Sequence, residues 1–447
     1  MTSFLPPLLF LTLLLLLASG FPVAFALAGA GLLFISVGSW AGVMQVGDLA
    51  LLPPRLLDAV QNVSLMAVPL FILMGLILER AQIAAELLAT AERCLGRLRG
   101  GLAISVVIVG ALIAACTGIV GATVVTLGVL SLPVMLRSGY DPRLACGTIV
   151  ASGTLGQIIP PSIVLILLGD LLGVPVGDLF KGALIPGLIL VATYLVYIVI
   201  RVHVQPALAP LPPRAEMPVP LRVLVRAIVS SLLPAAALML VVLGSILAGV
   251  ATPTEAAACG AIGAAVIAAC KGRLGWKLLR SAGMETAVMT AMVFTILAGA
   301  QVFILAFRGM GGEAWLAGLV TGLDAGPVTT VFAIMVLMFI LGFFLDFLEI
   351  CFIVVPLVVP ILRHVGWADN QSLVLIGVLM GLNLQTSFLT PPFGFSLFYL
   401  KGCAPPEVRS VDIYRGAWPF VLIQIAVIGV VALWPDLALW LPRVLAR

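Results

Sequence analysis

Ala151–Ser162, reading ASGTLGQIIPPS, and Asn383–Gly394, reading NLQTSFLTPPFG, decide the architecture. Each sets small hydroxyl or amide side chains just before a Pro-Pro pair, in surroundings too apolar for a surface loop. Adjacent prolines remove two backbone donors and disfavour the helical conformation at the preceding residue, so a helix entering either stretch must break. Broken backbone at membrane depth is tolerated only where it is buried or lines a cavity. The freed carbonyls, together with Ser152, Thr154, Asn383, Thr386 and Thr390, make an all-oxygen cage suited to a hard monovalent cation. Helix N-termini at the same breaks suit an anionic solute. The candidate binding residues are therefore Ser152, Gly153, Thr154, Pro160 and Pro161 in the first stretch. Asn383, Gln385, Thr386, Thr390, Pro391 and Pro392 are their counterparts in the second. The competing reading is a structural kink capped by its own hydroxyls.

Composition sets these motifs in a bilayer. Of 447 residues 62% are hydrophobic and only 9% charged, against about 25% charged in a soluble domain. Nearly uncharged runs recur at Phe4–Met44, Leu102–Leu136, Gly182–Ile200, Ile228–Val250 and Gly416–Trp434. Each is long enough for a helix to cross a hydrocarbon core, which takes roughly 20 residues. Counting breaks at Gly, Pro and charge clusters predicts about twelve to fourteen membrane segments, some too short to cross alone. A β-barrel would instead alternate in segments of about ten residues, so the expected class is an all-α integral membrane protein. Met1–Ala18 carries no Lys or Arg and is expected as the first membrane segment rather than a cleaved leader. The net charge of +4, spread over short loops, reads as membrane-orienting and implies no nucleic-acid partner. Seven scattered cysteines without a C-x-x-C predict neither disulfides nor zinc.

Sliding the chain against itself exposes a repeat. Gly75 falls on Gly299, Pro133 on Pro356, Gly139-Tyr140 on Gly366-Trp367, and Pro160-Pro161 on Pro391-Pro392. In transporters such repeats are commonly inverted, with solute and ion sites at their interface; a parallel duplication is the alternative. The expected organisation is a first half at 1–200, a Pro- and Arg-rich linker at 201–228, and a second half at 229–447.

A second pair of motifs lies upstream of the breaks. Ala114–Gly128 (AACTGIVGATVVTLG) has the small residues of a hairpin tip, with Thr117 and Gly118 as candidates. Gly342–Phe352 (GFFLDFLEICF) offers Gly342, Asp346 and Glu349, the two acids sharing one helical face. Acidic residues in a membrane segment are functional candidates by default, although a wetted segment end would make them structural. Ala251–Ala264 reads as a helix start, with Thr252 as N-cap, Pro253 at the first position and Glu255 completing a capping box. Amphipathic stretches at 79–99 and 271–285 are expected as interfacial arm helices or plain loop helices. None of the four lysines follows a glycine, so there is no Walker A. With two histidines and no H-E-x-x-H, no enzyme is expected.

ATPTEAA, the G-Y-D at Gly139–Asp141 and LTPPFG together resemble the large permease subunit, the DctM type, of tripartite ATP-independent periplasmic (TRAP) transporters. The likeness runs from FPVAFAL at Phe21–Leu27 to the last membrane segment. It implies an inverted-repeat, elevator-type transporter with two re-entrant helical hairpins and broken helices, in a bacterial inner membrane. It also implies coupling to sodium, no other cofactor, a small four-helix membrane subunit, and a periplasmic substrate-binding protein that delivers a small organic acid. The implied sodium and hairpin regions are Cys116–Thr123, Ser152–Ser162, Gly342–Glu349 and Asn383–Gly394. Many members have a Ser-Gly-Ser first tip, whereas this chain has Thr117-Gly118-Ile119-Val120-Gly121. FLDFLEICFIVVP and PPFGFSLFYLKG resemble the branch associated with mannitol or chloroaromatic compounds and related to 2-oxoacid and lactate importers. The rival class is a stand-alone ion-coupled organic anion transporter or antiporter, or a channel, of similar broken-helix build.

Overall fold

The structure, a computed structural model, describes residues 4–96, 98–210, 221–322, 326–391 and 394–445. The described residues form helices and connecting turns, with no strand. The first half holds α1 (Leu5–Ala18), α2 (Val23–Trp40), α3 (Leu52–Gln61), α4 (Ala67–Arg80), α5 (Ile83–Leu95), α6 (Gly101–Thr117), α7 (Val120–Arg137), α8 (Pro142–Thr154), α9 (Ile163–Leu172) and α10 (Val176–Val204). The second half begins with α11 (Leu221–Ala227), which runs through a π-helical turn at Ile228–Leu232 into α12 (Leu233–Leu247). There follow α13 (Pro253–Cys270), α14 (Trp276–Gly309), α15 (Gly312–Gly322), α16 (Pro327–Leu341), α17 (Phe347–His364), α18 (Asn370–Leu389), α19 (Phe395–Cys403), α20 (Ser410–Leu433) and α21 (Asp436–Val444).

Nine of the described helices are long and apolar enough to cross a bilayer, or ten if the bent pair α4–α5 is one span. Their outward faces are apolar, as at Leu240, Ile262 and Leu422, all more than half exposed. That is the surface hydrocarbon chains require, because lipid offers backbone and side chains no hydrogen-bond partners.

Local signals set the boundaries. Pro253 opens α13 behind Thr252, whose hydroxyl accepts the Glu255 N–H at 3.3 Å while Glu255 Oε2 accepts the Thr252 N–H at 2.8 Å. This is the expected capping box, closing two otherwise orphaned donors. α7 and α17 end alike. Gly139 (φ +80°) and Gly366 (φ +97°) are left-handed, and the next residues, Tyr140 and Trp367, donate back to the carbonyls of Met135 and Leu362. The left-handed turn suits glycine, which has no Cβ to clash.

Helix order therefore repeats: hairpin α6–α7, left-handed glycine turn, α8, break, α9 and α10, then hairpin α16–α17, glycine turn, α18, break, α19 and α20. Packing crosses between the halves. α2 lies along α14 and α13 along α4, while α7 packs on α19 and α17 on α9. Such exchange of partners is what a two-fold relation between the halves produces.

The two expected arm segments diverge. α5 turns 60° from α4 at Ala81–Gln82, where Gln82 adopts a left-handed φ of +56°. Its face bearing Ile83, Leu87 and Leu88 is buried, as an amphipathic arm requires. The segment 271–285 forms no separate arm: after a turn, Trp276 onward is the start of the 34-residue α14. In the linker region α10 extends to Val204 and helix resumes at Leu221, while 211–220 lie outside the described residues.

Candidate functional site

Hairpin one closes at Thr117-Gly118-Ile119. Gly118 caps α6 in a left-handed conformation (φ +61°), its N–H bonding the Ala114 carbonyl at 2.9 Å, and Ile119 is extended before α7 starts. Thr117 Oγ1 and Thr123 Oγ1 lie 2.9 Å apart across the tip. Each threonine also contacts a carbonyl of the preceding turn, Ile113 at 3.1 Å and Ile119 at 2.9 Å. A methyl at Gly118 would come within 3.2 Å of Ile163, the first residue of α9. The C-terminus of α6 therefore meets the N-terminus of α9.

α8 ends between the arms of this hairpin. Space for it comes from missing side chains: a Cβ at Gly110 would stand 2.6 Å from Ser152 Cβ, and one at Gly153 would stand 2.3 Å from Val124. After Thr154 the chain makes a short 3-10 turn over Leu155–Gln157, reaches Pro160-Pro161, whose peptide bond is cis, and restarts at Ile163. Ser152, Thr154, Gln157 and Ser162 are fully buried. Their hydroxyls donate to backbone carbonyls: Ser152 to Thr148 (2.6 Å), Thr154 to Ala151 (2.9 Å) and Ser162 to Gln157 (2.8 Å). A hydroxyl oxygen carries two lone pairs besides its proton, so each retains acceptor capacity for a cation. The carbonyl ends of α6 and α8 bear partial negative charge, whereas the N-termini of α7 and α9 bear partial positive charge.

The second half builds the same junction from different residues. Gly342 follows α16, and a Cβ there would fall 2.1 Å from Ser387 Oγ on α18. Asn383 Nδ2 donates to the Met335 carbonyl at 2.8 Å, tying α18 to α16. Thr386 Oγ1 donates to Leu382 (2.8 Å), Ser387 Oγ to Leu384 (2.8 Å) and Thr390 Oγ1 to Thr386 (2.7 Å). Thr390 ends α18 in an extended conformation, followed by Pro391, and Pro392 lies outside the described residues. Ser396, just past this break, reaches back to the Phe388 carbonyl at 2.6 Å. That contact resembles Ser162 to Gln157: the accepting residues Gln157 and Phe388 are 231 positions apart, the Pro-Pro offset, and the donating serines 234.

Asp346 and Glu349 are joined to each other by local bonds. Asp346 is the N-cap of α17, and Glu349 Oε2 accepts its N–H at 3.0 Å in a capping box. That bond gives both acids a capping role at the head of α17. Sequence reading placed Thr123 in the first hairpin tip but did not single out Gln157, Ser387 or Ser396. It also missed Tyr194 of α10, whose hydroxyl accepts Gln424 Nε2 of α20 at 2.7 Å in the buried interior. These two are 230 positions apart, close to the repeat offset, which relates their positions in the two halves but carries no signal that they touch. A further cleft of ≈ 480 Å³ opens between α3, α9, α14 and α17, lined in part by Arg55, Asp58, Asn62, Asp170, Gln301 and Arg308. Asn62 donates to Asp170 across it.

Two broken helices, each clasped by a hairpin and repeated in order, are one fold with a known home. The model of the DctM component of tripartite ATP-independent periplasmic transporters matches residues 10–437. The chain belongs to this family. It is 31% identical over 392 residues to the C4-dicarboxylate TRAP transporter large permease protein DctM of Pseudomonas aeruginosa, covering 87% of this chain and 88% of that one. It is 29% identical over 440 residues to the ectoine/5-hydroxyectoine large permease UehC of Ruegeria pomeroyi, covering 97% of each. The fold also resembles the crystal structure of the Alcanivorax borkumensis YdaH transporter, with a TM-score of 0.60 at 17% identity over 88% of this chain and 87% of that one. This DctM-family chain is thus a multi-pass inner-membrane permease subunit and not an enzyme. A tripartite system implies a small membrane subunit and a periplasmic binding protein as its partners.

Proposed function

We propose that this permease subunit imports a small organic acid, handed over by the binding protein, and drives the import with sodium. The observation that supports it is the convergence, in each half, of a hairpin tip and a broken helix on buried neutral oxygens: Thr117, Ser152 and Thr154 in one half, Asn383, Thr386 and Thr390 in the other. Such donors suit sodium, a hard cation that needs oxygen ligands and no titrating partner. The N-termini of α9 and α19, freed by the breaks, favour the carboxylate of the solute. A 2-oxoacid, lactate or a related carboxylate is the solute class this reading adopts. The named solutes of the relatives, C4-dicarboxylates and ectoines, already differ from one another.

Movement is read as an elevator. The hairpins and broken helices travel as one body against the crossed frame of α2, α4, α13 and α14, with the bend at Gln82 as a joint. The polar cleft beside α3 gives the solute a route between the two bodies, with Arg55 offering positive charge, while Arg308 is paired with Glu313 at 2.8 Å. Proteoliposomes holding this chain and its small subunit, supplied with loaded binding protein, should accumulate solute when sodium is high outside. Equal uptake driven by a proton gradient with sodium absent would sink the proposal.

A further inference from the structure

At the membrane surface where α5 meets the start of the α11–α12 span there is a cleft of ≈ 370 Å³. Its polar lining comes from three separate stretches: Glu86 and Arg93 of α5, Arg226 and Ser230 beside the π-helical turn, and Lys271 in the turn after α13. Glu86 organises it, pairing with Lys271 and with Arg273 (2.6 Å) and accepting the Ser231 hydroxyl at 3.3 Å. Its charge is thereby matched twice over. Arg93 and Arg226 then have no carboxylate partner among the described residues, so the cleft is left strongly positive.

Three observations place this charge at a lipid headgroup level. α12 and α13 pack as antiparallel neighbours, so the start of the α11–α12 span and the end of α13 share one membrane face. Trp276, 80% exposed, stands at that face as interfacial aromatics do. Below the cleft, Val229, Leu233, Leu240 and Val241 form an exposed apolar wall along the α11–α12 span, a track for acyl chains. The connection at the other end of this helix pair, Ala248–Thr252, has no charged residue, and basic residues mark the cytoplasmic side.

We propose that this cleft binds the phosphate of an anionic phospholipid of the cytoplasmic leaflet, with Arg93, Arg226 and Lys271 around the headgroup and the acyl chains on α12. A soluble phosphate would have no use for the apolar wall, whereas a lipid uses both. Because the site joins the bent arm α5 to the α13–α14 turn, an occupied headgroup also fixes the arm to the frame.

The test uses the chain co-purified with its small subunit. Native mass spectrometry after exchange into vesicles of phosphatidylglycerol and phosphatidylcholine should show retained phosphatidylglycerol. Retention should fall roughly 30-fold in the Arg93→Gln/Arg226→Gln double variant, at about the strength of two surface basic residues. Both side chains are exposed, so an unchanged melting curve is expected alongside. Lys277→Gln, a basic residue on the same face outside the cleft, should retain the lipid. Overturning results are no preference for phosphatidylglycerol in the unaltered protein, equal loss with Lys277→Gln, or full displacement by millimolar glycerol 3-phosphate. The last would make the ligand a soluble anion.

Discussion

The first broken helix and the second reach the same shape by different chemistry. In the first half, α8 ends at Thr154, a 3-10 turn fills the gap, and the break is buried between hairpin arms whose close approach is made possible by Gly110 on α6 and Gly153 on α8 itself. Its tip carries no charge and closes through Gly118 and the Thr117–Thr123 hydroxyl pair. In the second half, α18 runs for 20 residues before breaking, and the tip closes through the carboxylates of Asp346 and Glu349 at the head of α17. What repeats is the requirement that broken helix ends find partners away from water. The partner, glycine backbone in one half and an acidic cap in the other, is free to differ. The two junctions should therefore respond differently to substitution, and the differences can be tested.

The largest effect is expected at the hydroxyls themselves. Thr154→Ala and Thr386→Ala each remove one buried oxygen while leaving the Pro-Pro break intact. Losing a contact to a charge costs about 1.5 to 3 kcal/mol, a fall in apparent sodium affinity of roughly 10- to 150-fold. Uptake measured across a sodium series reads this. Unchanged sodium dependence in both variants would remove these threonines from the ligand set.

Next come the two tips. Gly342→Ala puts a methyl on Ser387, an overpacking that typically costs about 1 to 3 kcal/mol. Adding Ser387→Gly should recover most of the lost thermal stability. Gly118→Ala strains the backbone instead, by about 1 to 2 kcal/mol, since its φ is +61°. Trimming its neighbour with Ile163→Val should not rescue it. If both tips respond alike to relief of packing, the contrast between them is misjudged.

Glu349 separates cap from carrier. Glu349→Ala should lower stability by about 0.5 to 2 kcal/mol, whereas Glu349→Gln keeps an oxygen for the Asp346 N–H and should behave nearly as the parent in both stability and uptake. Complete loss of uptake in a stably folded Glu349→Gln protein would give the carboxylate charge a direct part in transport. The smallest effect belongs to Thr252→Ala, which removes the α13 cap for about 1 kcal/mol. Its sodium dependence should stay that of the parent, and a shift there would place the ion site in the wrong part of the chain.

Much of the fold was legible in the sequence for reasons confined to a few neighbouring residues. A proline lacks its N–H wherever it sits, so Pro160-Pro161 had to interrupt the helix entering it. Roughly 20 apolar residues without charge have few places to go but a bilayer, and the Thr252–Glu255 cap is complete within four residues. Even the repeat needed only order and spacing, visible at Gly139 and Gly366 before their shared left-handed turns were seen. Through-space facts were not legible. Nothing local said that 271–285 would merge into a 34-residue helix, whereas the spacing of Asp346 and Glu349 carries the same local cap signature as Thr252 and Glu255. The Tyr194–Gln424 bond joins residues 230 apart, and Glu86 meets Lys271 and Arg273 across a similar distance in sequence. Sequence alone settles where a chain must leave regular structure, because solvation and backbone donors are properties of each residue. Which groups then satisfy the freed ends was decided only when the two halves packed crosswise, since hydrogen bonds and close contacts depend on distances that no single segment contains.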